Sequence, residues 1–73
     1  MDTTQLQKCL RYIEIECGYL NAYPISARLH YEFLSAHICF SNGVFRSCCP
    51  DSCEEMDILA ATLQLQYGTK IIK

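Results

Sequence analysis

Three of this chain's six cysteines, Cys48, Cys49 and Cys53, crowd around Pro50-Asp51-Ser52. Clustered thiols have four chemical readings: a disulfide framework, a metal site, a redox switch, or small buried apolar side chains. Zinc sites favour cysteine pairs with two to four residues between them, and Cys49-x3-Cys53 meets that rule, with Cys48 adjacent. Cys39 or His37 could complete the set from upstream. A strong zinc signature needs two such pairs, and only one is present. His30 and His37 do not supply the second on a helical reading. Seven residues along a helix separate them by about 10 Å, too far for one ion held about 2 Å from each ligand. The expectation is therefore no cofactor, with zinc on Cys48, Cys49 and Cys53 as the alternative.

Thiol reactivity is balanced by opposing influences. If Ser52 caps a helix, Cys53 sits in its first turn, where the dipole favours the thiolate. Asp51, Glu54 and Glu55 oppose it by like charge. No catalytic set is expected. Neither histidine is tied by spacing to a cysteine, and Gly18, Gly43 and Gly68 stand apart instead of forming a phosphate loop.

The elements that would carry these residues read as helices. Thr4-Gln5-Leu6-Gln7 is a capping box, and Leu6, Leu10, Ile13, Cys17 and Leu20 follow at steps of four and three. A second helix is expected from Pro24 or Ser26 to about residue 41. Ile25, Leu29, Phe33, Ala36 and Phe40 form one stripe, and Ala27, Tyr31, Leu34 and Ile38 form another. Asn42-Gly43 would end it. Val44 to Cys49 reads as a loop or one short strand. The third helix starts at the Ser52-Cys53-Glu54-Glu55 capping box, holds Met56, Leu59, Ala60, Leu63 and Tyr67 on one face, and stops at Gly68. Residues 69–73 form a short apolar tail, as a strand or a docked extension, while the alternation at 63–67 permits a hairpin. The fold expected is a single all-α domain over 1–73, a three-helix bundle with helices at about 4–20, 25–41 and 52–67 and a Cys-rich loop before the third.

Seventy-three residues bury only about 60–65% of the surface their unfolded chain exposes, and 51% of the residues are apolar. Tyr12, Ile15 and Tyr19 on the first helix, and Ile58 and Leu65 on the last, lie off the core stripes. They are the partner-binding candidates, because apolar patches on soluble proteins mark association sites. Net charge is −2, with the six Lys and Arg at positions 8, 11, 28, 46, 70 and 73. Without a basic stripe, no nucleic acid is expected as a ligand. Met1-Asp2 opens no secretory signal, and no run spans a bilayer, so the chain reads as cytoplasmic with no membrane contact.

The functional expectation is a non-catalytic regulatory or inhibitory protein that binds another protein and self-associates as a homo-oligomer, a homodimer in its simplest form. A zinc-stabilised interaction module and a helix-turn-helix transcription regulator are the alternatives.

Overall fold

The structure, a computed structural model, describes residues 4–73; Met1 and Asp2 lie outside the described residues. It is an α+β fold, not the all-α three-helix bundle expected from the sequence. Helix α1 (Gln5–Leu20) leads into strands β1 (Pro24–His30), β2 (Ser35–Phe40) and β3 (Phe45–Cys48), then helix α2 (Cys53–Tyr67) and strand β4 (Lys70–Ile72). The sheet order is β3-β2-β1-β4, antiparallel except for the parallel β1–β4 pair.

Both helices begin at their capping signals. The Thr4 side chain accepts from the Gln7 amide and the Ser52 side chain from the Glu55 amide, each satisfying an orphan donor of the first turn. Asn21 and Gly68 close the helices in the left-handed conformation.

The helix expected at 25–41 is a β-hairpin. Burial alternates along its strands, with Ala27 and Leu29 inward on β1, and Ala36, Ile38 and Phe40 inward on β2. That is the period of two a half-covered sheet requires. Ile25 and Phe33, assigned to a helical core stripe by spacing, are exposed instead. The two strands are joined by a 3-10 turn at Tyr31–Phe33 and by Leu34 at φ 51°, a backbone region few non-glycine residues enter. Asn42-Gly43 caps no helix. It forms the β2–β3 turn, with Gly43 at φ 87° and the Asn42 side chain accepting from the Val44 amide, the usual hairpin role of this dipeptide. The tail forms β4, and the Thr69 hydroxyl donates to the Pro24 carbonyl to tie it to β1.

Both helices pack on one face of the sheet. Ile13 from α1 and Met56, Leu59, Ala60 and Leu63 from α2 meet the inward strand residues in one core. The helices run parallel: Cys9 neighbours Glu55 near their starts, and Cys17 neighbours Tyr67 near their ends. The Tyr31 hydroxyl donates to the Asp57 carboxylate, fastening the hairpin turn to α2. That acceptor, with some burial, pushes the Tyr31 pKa up to about 12.

Two outcomes follow. Leu63→Ala should cost about 2–5 kcal/mol in chemical denaturation, whereas Leu65→Ala, two residues on and exposed, should cost less than about 0.5 kcal/mol. Tyr31→Phe should cost about 0.5–1.5 kcal/mol at neutral pH. Because the folded pKa is raised above about 10, this contribution is fully present below pH ~10 and is lost as pH climbs toward 12. The wild-type and Tyr31→Phe denaturation midpoints should therefore converge over that range; a constant gap would contradict the assignment.

Candidate functional site: the α1–β3 seam

The cysteine cluster seen in the sequence is divided by the fold. Cys48 pairs with Ala36 across the β2–β3 ladder, so it turns toward the helices. Cys49 and Cys53 are exposed, the latter in the first turn of α2. The nearest thiol neighbour of Cys48 is Cys9 on α1, which sequence reasoning did not single out. Its signal was present, since Cys9 follows Leu6 by three residues and precedes Ile13 by four, on the face of the Leu6–Leu20 stripe. Among the described residues no three His, Cys, Asp or Glu side chains are grouped as one ion requires.

Cys9 and Cys48 face each other where α1 crosses β3. Burial pushes both thiols up, and for Cys48 the Cys9 thiol adds to the effect. Above them opens a shallow cleft of about 280 Å³, lined by Gln5, Lys8, Cys9, Tyr12, Ser47, Cys48 and Cys49. Further along the seam, Arg46 pairs with Ile38 and so also points inward. Its Nε lies 3.5 Å from Glu16 Oε1 on α1. Glu16 Oε2 is buried and accepts no hydrogen bond among the described residues. Partial burial and the nearby Glu16 carboxylate raise the Tyr12 pKa.

The candidate contact residues fall on the helix layer. Tyr12, Ile15 and Tyr19 run down α1, and all three are exposed. Tyr12 borders the cleft against β3, so the stripe begins beside an edge strand whose outer side is unpaired among the described residues. Ile58 and Leu65 are exposed on α2, opposite its buried face. Phe45, at the start of β3, is a large exposed apolar residue the sequence reading missed. Its position in an apparent loop gave no periodicity to judge.

The histidines, placed two helical turns apart by the sequence reading, are brought together. The hairpin sets the His30 and His37 rings edge to face, 5.1 Å between centroids. A helix-turn-helix is not formed, because three strands separate the two helices. No helix among the described residues is long and apolar enough to cross a membrane.

Comparison with protein families, characterised proteins and solved structures finds no match for this chain.

Alkylation at neutral pH, followed by peptide mapping, should label Cys49 and Cys53 first. Cys9 and Cys48 should lag, since burial withholds both access and thiolate. Early labelling of Cys9 would contradict the packing of α1 on β3.

Proposed function

We propose that this chain is a non-catalytic regulatory protein that acts by protein–protein binding and self-associates through the α1–β3 seam. One observation carries the reading: an exposed apolar stripe on α1 begins, at Tyr12, beside the edge strand β3, whose outer side is unpaired among the described residues. Tyr19 is 81% exposed and Ile15 58%, on a chain whose accessible surface of 4707 Å² is close to the roughly 4600 Å² that its mass of 8.4 kDa implies. The chain is packed as tightly as an ordinary monomer. What is unusual is the identity of the residues left outside.

The edge itself is only partly protected against pairing. Strand β3 reads Phe-Arg-Ser-Cys, without proline or lysine, although its shortness and its one charge, Arg46, turned inward to Glu16, both restrain pairing. A second copy related by a two-fold axis would complete the ladder and cover Tyr12 and Tyr19 at once, in a closed assembly. Ile58 and Leu65, on α2, would remain for a larger protein whose surface the assembly covers. All six cysteines are free, which suits action in the reducing cytoplasm.

Sedimentation velocity over a dilution series tests this. Wild type should shift from monomer to dimer with concentration. Tyr12→Ala/Tyr19→Ala should weaken the dimer at least about tenfold, as loss of buried tyrosine anchors does, with helical content unchanged. Identical sedimentation of the two proteins would refute the seam as the interface.

A further inference from the structure

Among the described residues nothing covers the sheet face turned away from the helices, and the strand register places two rows of side chains across it. One row is Phe45, Cys39, Ser26 and Lys70; the other is Ser47, His37, Arg28 and Ile72. Lys70 and Arg28 are 42 positions apart in sequence, and the scatter of such cations is what argued against a nucleic-acid ligand. The parallel pairing of β4 with β1 removes that separation.

Charge is spread unevenly over the two sides of the molecule. Glu14 and Glu16 lie on α1 with Lys8 and Arg11, and Glu54, Glu55 and Asp57 lie on α2 without a cation. The open face holds Arg28 and Lys70, neither in an ion pair among the described residues. A carboxylate also borders this face: Glu32 Oε1 lies 4.0 Å from His30 Nδ1. An acidic chain thus carries a cationic face.

That face also offers rings. Phe45 is 69% exposed, and the His30–His37 pair stands beside Arg28. We infer that the open sheet face binds single-stranded nucleic acid, with bases stacked on Phe45 and the histidine rings and phosphates held by Arg28 and Lys70. Unpaired bases present the π faces that aromatic side chains and guanidinium planes accept. The Ser26 and Ser47 hydroxyls add neutral donors to phosphate. A duplex hides its base faces, and an acidic polypeptide would use the cations but leave the rings idle.

Fluorescence anisotropy with labelled 12-mers of oligouridylate and oligothymidylate at low salt tests this inference. Wild type should bind the single strands, with log K falling against log salt at a slope of about −1.4 for two neutralised phosphates. Arg28→Glu/Lys70→Glu should weaken binding more than about tenfold and flatten that slope. Phe45→Ala should weaken it at least about fivefold and leave the slope unchanged. Tyr19→Ala should bind as wild type, which separates this face from the self-association seam. Absence of binding at low salt would overturn the inference, as would wild-type affinity in both open-face variants. Equal affinity for a 12-bp duplex, or equal displacement by polyglutamate, would overturn it too. Circular dichroism of each variant confirms that only the surface has changed.

Discussion

Two helices can cover one face of a four-stranded sheet and no more. That constraint organises this molecule. Ala27, Leu29, Ala36, Ile38 and Phe40 present one apolar surface, and Ile13, Met56, Leu59 and Leu63 close over it. The described residues include no further element that covers the opposite face or the outward sides of the helices. A small domain of this size gains most of its stability from that single layer, so the residues outside it are free to serve other ends. Apolar residues on the helix layer and cations on the sheet face are both consequences of the same two-layer arrangement.

The seam between α1 and β3 is where this arrangement is least finished. Among the described residues three kinds of incompleteness meet there: an unpaired strand edge, an exposed stripe that starts at Tyr12, and a buried carboxylate oxygen on Glu16 without a hydrogen-bond partner. A half-buried ion pair with imperfect geometry adds little net stability, because desolvation and solvent screening offset the attraction. The 3.5 Å Arg46–Glu16 contact is better understood as positioning. It holds the one charge of β3 against α1.

The ends of the fold were legible in the sequence and the middle was not. Thr4 and Ser52 mark α1 and α2 because capping is local chemistry, written in four residues. The hairpin failed for a definite reason. Its turn, Tyr31-Glu32-Phe33-Leu34, contains no glycine, proline, asparagine or aspartate, and Leu34 takes a positive φ that leucine seldom signals. Two period-two strands joined without punctuation then mimic a helix, since positions 29, 33, 36 and 40 share helical spacing by coincidence. β-Branched residues are also sparse, with only Ile25 and Ile38 between residues 24 and 41. Long-range pairing supplied what local preference did not. The site was partly legible: Tyr12, Ile15, Tyr19, Ile58 and Leu65 are exposed as their spacing implied. Cys9, Phe45 and the basic sheet face depend on contacts between distant segments, which no local pattern reveals.

Amide hydrogen exchange as a function of protein concentration addresses the central claim most directly, because it reads the edge strand and the helix stripe residue by residue. The account predicts that amides of Phe45–Cys48 and of the α1 stripe around Tyr19 gain protection as concentration rises, while β4 at the opposite edge does not. Protection of β3 that stays constant across the dilution series would contradict it.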